Sequence, residues 1–207
     1  MARRVLHDQY FKQAKAEGYL ARSAYKLTEL DQRFKLIRRG SRVLDIGCAP
    51  GSWMQVAAER VGEKGVVVGI DLKRVDAKMP RQVVSLEGDI ERTPSEALIE
   101  PAGGLFDLVL SDMAPNTTGH GDDLVSARLC RSVLELLPGL LAPGRGIAMK
   151  ILEGQEYPGV LRETKRLFHT AQGFKPKASR DVSREMYIVG KGYKGPAERR
   201  PAEGAGG

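Results

Sequence analysis

From Arg42 onward the apolar residues follow two alternating rhythms. Short runs rich in Val, Ile and Leu, namely "RVLDIG", "GVVVGIDL", "VVSLEGDI", "FDLVLSDMA" and "GIAMKIL", have the length and β-branched content of buried strands. Between them "WMQVAAERV", "LVSARLCRSVLELLPGLL" and "VLRETKRLFH" carry apolar residues at helical spacing. Such alternation predicts βαβ units, and hence a doubly wound α/β domain whose sheet is mostly parallel with helices on both faces. The pattern then changes. "KPKAS" and "EMYIVGKGY" are two strand candidates only a few residues apart, too few for a helical crossover, so the last strands are expected to pair antiparallel.

Ahead of the sheet, "DQYFKQAKAEGYLARSAYKLTELDQRF" reads as two helices broken near Gly18, with Leu20, Tyr25, Leu27, Leu30 and Phe34 at helical intervals. The closing stretch "KGPAERRPAEGAGG" is rich in Gly, Pro, Ala and charge and can bury too little to order itself. The chain therefore divides into a basic helical extension over 1–42, the sheet domain over 43–193 and a disordered tail over 194–207.

Length and composition agree with this division, because 207 residues of which 42% are hydrophobic suffice for one sizeable core. No apolar run is long enough to span a membrane, and "MARRVLHDQYFKQAK" lacks the apolar stretch of a secretory signal, so a cytoplasmic location is expected. Cys48 and Cys130 have no Cys or His neighbour at metal-ligand spacing, which argues against zinc and against a disulfide framework.

The net charge of +7 is unevenly spread. Residues 1–42 hold 11 Lys and Arg against 4 acids, 43–161 hold 11 against 17, and 162–207 hold 11 against 5. An acidic middle between two basic ends is the electrostatic footprint of a polyanion binder. It predicts a polyanion lying across the N-terminal helices and the C-terminal third, with Arg22, Arg38 and Arg39 among its contacts.

The turn "LDIGCAPGSW" after the first strand contains Gly47 and Gly51, which let a ligand approach the backbone, and Ser52, a candidate helix cap. It is not a dinucleotide fingerprint: Pro50 removes an amide donor and no three-glycine cradle for a pyrophosphate remains. Asp71 ends the second strand, where a carboxylate binds a ribose diol, and Asp89 closes the third, where it can meet an adenine amine. Trp53, in the first helical turn, is placed beside the ligand's tail. S-adenosylmethionine, which has an adenine, a ribose diol, an amino-acid tail and no phosphate, satisfies this list.

Strand four ends in Asp112, followed by "MAP" with no aromatic residue to stack a planar target, which points to a hydroxyl acceptor. An alcohol gains from a base within hydrogen-bond reach, and Lys150, which ends strand five, faces the same edge. A lysine must be neutral to accept a proton. Burial and a nearby sulfonium favour that form, and a carboxylate opposes it.

The segments "SAYKL", "DIGCAPGSW", "SDMAPN", "AMKIL" and "SREMYIVG" resemble the FtsJ/RrmJ family of ribosomal RNA 2'-O-ribose methyltransferases, in order and over residues 23–190. The resemblance implies a Rossmann-like methyltransferase fold with a mostly parallel seven-stranded sheet, an antiparallel last strand and N-terminal helices. It implies a catalytic tetrad of Lys26, Asp112, Lys150 and Glu185, with Lys150 as proton acceptor, and cofactor contacts at Gly51, Trp53, Asp71, Asp89 and Asp112. Lys26 and Glu185 carry no local signal of their own. The implied activity is methylation of a uridine in 23S ribosomal RNA on the assembled large ribosomal subunit, by a protein expected to be a monomer. Transfer RNA or messenger cap methylation, a non-catalytic RNA-binding module and a nicotinamide oxidoreductase are the alternatives. The complete tetrad argues against the module, and the Pro50 loop against the oxidoreductase.

Overall fold

The computed structural model describes residues 10–115, 121–179 and 183–196. A first helix, α1, is described over residues 10–16, and Gly18 follows it at φ +80. Then come α2 (Ala24–Phe34), β1 (Arg42–Ile46), α3 (Ser52–Val61), β2 (Val66–Asp71), β3 (Val83–Glu87), α4 (Ser95–Ala102), β4 (Phe106–Ser111), α5 (Asp122–Leu140), β5 (Leu141–Leu152), α6 (Tyr157–Leu167), β6 (Phe168–Phe174) and β7 (Glu185–Tyr193). The seven strands form one sheet in the order β3-β2-β1-β4-β5-β7-β6. All pairs are parallel except those of β7, which runs against β5 and β6.

This order decides where chemistry can happen. The parallel strands β1 to β5 deliver their carboxyl ends to one edge, the usual ligand edge of an open α/β sheet. Because β7 alone is reversed, its first residues reach that same edge: Glu185 pairs with Leu152 and Tyr187 with Lys150.

Two apolar layers cover the sheet. Leu44, Ile46, Val109, Met149 and Ile188 face α4, α5 and α6. Val43, Leu108, Leu110, Ala148, Tyr187 and Val189 face α2 and α3, through Leu27, Leu30, Phe34, Trp53, Met54 and Val61. The α2 helix thus packs directly into the core rather than extending from it.

The structure differs from the sequence pattern in three elements. "KPKAS" forms a turn, and the strand beside β7 is "FHTAQGF", which periodicity had assigned partly to the preceding helix. Pro176 has no amide to give a ladder, whereas Phe168 is fully buried and anchors an otherwise polar edge strand. A further helix, α4, supplies the crossover from β3 to β4. Finally β5 starts at Leu141 rather than at Gly146, with a register shift against β4 between Phe106 and Leu108.

Candidate active site

Four charged side chains meet at the carboxyl edge, on the face covered by α2 and α3. Lys150 does not end its strand, since β5 runs on to Leu152, and it is only 6% exposed, although lysines usually reach water. Its ammonium donates to the Asp112 main-chain oxygen and lies 3.0 Å from Asp112 Oδ1. The Tyr187 hydroxyl donates to that same Oδ1 at 2.7 Å. Lys26 is also 6% exposed, and its Nζ donates to Glu185 Oε2 at 2.8 Å across 159 positions of sequence. Burial of both lysines is compensated by full ion pairing, which removes the main cost of placing an ammonium inside a protein.

Local folding explains each position. Asp112 follows the last residue of β4, and its amide donates to Ile46 O at 3.2 Å, which fixes the strand end beside β1. Lys26 sits in the first turn of α2, and that turn is docked on the start of α3: Trp53 Nε1 donates to Ser23 O at 2.8 Å, and the Ser23 and Ser52 hydroxyls are 2.8 Å apart. Glu185 opens β7, with its amide donating to Ser183 Oγ at 3.2 Å.

Burial pushes the Glu185 carboxyl up, but the charge and hydrogen bond of Lys26, with Lys150 and Ser183, outweigh it and hold it below the usual carboxylate range. Tyr187 is fully buried beside Asp112, which holds its phenol well above the usual value, so it remains a proton donor. Tyr187 was not among the residues the sequence singled out. The signal available was its spacing of two from Glu185, which puts both side chains on one face of β7.

The turn after β1 is built for close approach. Gly47 and Gly51 have φ of +77 and +111, a region that side chains rarely adopt, and a Cβ at Gly47 would lie 2.8 Å from Met113 Cγ. Asp71 accepts from Ala49 N and Lys73 N, both at 2.9 Å, so it ties this turn to β2. Asp89 lies two residues beyond β3 and accepts from Glu91 N at 3.0 Å. Ser52 does not cap α3; Gly51 holds the cap position and Ser52 points instead at Ser23. Trp53 is buried, with its ring 5.7 Å from Tyr187 and its N–H already used.

Asp45, on β1 between Asp71 and Asp112, is fully buried, and neither carboxyl oxygen has a hydrogen-bond partner among the described residues. Burial, and then the charges of Asp112 and Asp71, push it well above the usual carboxylate range. No cluster of metal-ligating side chains occurs among the described residues.

The topology separates the predicted RNA contacts. Arg38 and Arg39 precede β1, beside the far end of α3 where Gly40 N bonds Val61 O, so they lie at the edge opposite the tetrad. Arg22, just ahead of α2, lies at the tetrad's edge.

A doubly wound sheet with acids after successive parallel strands, a glycine turn without a pyrophosphate cradle and a buried lysine–aspartate pair defines a Rossmann-like methyltransferase. The chain belongs to the FtsJ-like methyltransferase family, whose model matches residues 19–193. It is 46% identical over 188 residues to a Syntrophobacter fumaroxidans protein named ribosomal RNA large subunit methyltransferase E, covering 90% of this chain and 95% of that one. An Oleidesulfovibrio alaskensis protein of the same name is 41% identical, covering 95% of this chain and 97% of its own. A solved structure titled a ribosomal RNA methyltransferase, from Plasmodium falciparum, superimposes with a TM-score of 0.74 at 29% identity, over 86% of this chain and 100% of that one.

Proposed function

We propose that this chain transfers the methyl group of S-adenosylmethionine to the ribose 2'-hydroxyl of a uridine in 23S ribosomal RNA, in the cytoplasm and on the assembled large subunit. The observation that carries this reading is the buried Lys150–Asp112 pair at the carboxyl edge, 3.0 Å apart, with Lys26 and Glu185 paired beside it. Relatives named for large-subunit ribosomal RNA support the substrate. A single chain supplies the whole tetrad, so the protein is proposed to act as a monomer.

S-adenosylmethionine suits the residues present. The carboxylates of Asp71 and Asp112 suit a cationic ligand, the buried, partnerless carboxyl of Asp45 lies between them, and the glycine turn, bare of side chains, lets that ligand reach the backbone. Asp71 is assigned to the ribose diol, Asp89 to the adenine, and Gly51, Trp53 and Asp112 to the tail. When bound, the cofactor supplies an electrophilic methyl group. Lys150 must first give the proton of the ammonium paired here to solvent; in its neutral form it accepts the 2'-hydroxyl proton while Asp112, steadied by Tyr187, aims its amine. Lys26 and Glu185 hold the ribose in line with the methyl group.

The test is incubation with labelled S-adenosylmethionine and, separately, naked 23S ribosomal RNA, large subunits, transfer RNA and capped messenger RNA. Label on a ribose of large subunits is the expected outcome. Label on transfer RNA or a cap alone would overturn the substrate assignment.

A further inference from the structure

The positive charge of the C-terminal third divides between the two edges of the sheet. Strand β6 runs opposite to β7 and ends where Phe174 pairs with Tyr187, so exposed Lys175 and Lys177 emerge at the tetrad's edge. Exposed Arg184 immediately precedes Glu185 there. Lys165 and Arg166, in the last turn of α6, lie at the opposite edge.

The turn over 175–179 has one internal main-chain bond, from Ser179 N to Pro176 O at 3.1 Å. It is held from outside by Glu29 of α2. Glu29 Oε2 accepts from Lys177 N at 2.7 Å and Oε1 from Ala178 N at 2.8 Å, so one carboxylate grips two successive amides. The same helix pairs Lys26 with Glu185 and sets Phe34 edge-on to Phe174 at 5.4 Å. Charge-assisted bonds to adjacent amides fix a backbone far better than either does alone.

We propose that Glu29 is a positioning residue that clamps a basic ledge, Lys175 and Lys177 with Arg184, on which the phosphates of the RNA substrate rest beside the Lys26–Glu185 pair. The proposal rests on the reading of the chain as an RNA methyltransferase and names the surface that reading requires. It also reverses a simple expectation: an acid beside a phosphate site repels RNA, so its neutralisation by itself should tighten binding. A clamp gives the opposite sign, because an amide nitrogen placed against a main-chain N–H releases the turn.

The experiment compares the wild-type protein with Glu29→Gln, Lys175→Glu/Lys177→Glu and Lys165→Glu. The readouts are affinity for a 23S ribosomal RNA transcript and for large subunits, KM and kcat for methyl transfer, S-adenosylmethionine affinity, and amide exchange at Lys177 and Ala178. Glu29→Gln should weaken RNA binding and raise KM by about three- to tenfold, with kcat within about twofold and faster exchange at both amides. The double reversal should weaken RNA binding by about tenfold or more, and Lys165→Glu should not. Cofactor affinity should be unchanged in all. Tighter or unchanged RNA binding by Glu29→Gln, or an equal loss in Lys165→Glu, would overturn the ledge. RNA bound in the expected order of variants but never methylated would overturn the assigned reaction and leave the ledge standing.

Discussion

Tyr187 and Lys150 sit directly opposite each other across the β5–β7 ladder and converge on one oxygen, Asp112 Oδ1, at 2.7 Å and 3.0 Å. The phenol does not titrate in the working range, since its proton is held by burial and by Asp112. Its contribution is geometric. Tyr187→Phe keeps the ring against Trp53 and removes only the donor, so kcat should fall about tenfold or more while cofactor affinity stays level. Steady-state kinetics with calorimetry on S-adenosylmethionine checks this; an unchanged kcat would mean that Asp112 is held well enough by its other contacts.

Lys150→Ala should bind cofactor and lose about 10² to 10⁴ in single-turnover rate, the usual range for a missing general base. Lys150→Arg retains charge near Asp112 but cannot give up its proton in this range of pH. It is expected to be as inactive as alanine. Retention of more than about a tenth of the rate by the arginine variant would show that Lys150 acts only through its charge.

Two carboxyls, Asp45 fully buried and Glu185 half-buried, should tilt stability in opposite directions with pH. Asp45 is raised in the folded state, so the fold binds its proton more tightly than the unfolded chain does, and its contribution is lost as pH rises above about 4. Asp45→Asn, which mimics the protonated acid, should therefore gain on the wild type progressively above that pH. Glu185 is lowered, so its contribution is present above about 4.3 and lost as pH falls through its folded value. Glu185→Gln should lose stability relative to the wild type at neutral pH and match it in acid. Denaturant melts from about pH 3 to pH 8 decide both; parallel curves for the three proteins would contradict the assigned shifts.

Asp71 and Asp89 should separate two costs. With Asp71 on the ribose diol and Asp89 on the adenine, as proposed, removing either carboxylate should leave a ligand donor without its partner, at a cost on the order of 1 to 3 kcal/mol of cofactor affinity. Asp71 also accepts the Ala49 amide, so Asp71→Ala should in addition loosen the turn after β1, whereas Asp89→Ala leaves that turn intact. Calorimetry and amide exchange at Ala49 report the two effects. Unchanged cofactor affinity in both variants would remove this placement of the ligand.

The sequence by itself determined the alternating core of the fold, because βαβ units are written in local periodicity and β-branched content, and it picked out acids that lie at or just beyond the ends of successive parallel strands. It also marked Asp112 and Lys150, which lie just after β4 and two residues before the end of its neighbour β5. It could not decide β6, where one buried phenylalanine anchors a polar edge strand against a neighbour not yet paired. Nor could it distinguish Lys26 and Glu185 from surface charges without a family resemblance, because their burial depends on each other across 159 positions. Tyr187 and Glu29 became legible only once β7 was reversed and α2 was laid along it. A long-range pairing is fixed by which side chains fill the same dry volume, and that is a property of the packed chain, not of any window along it.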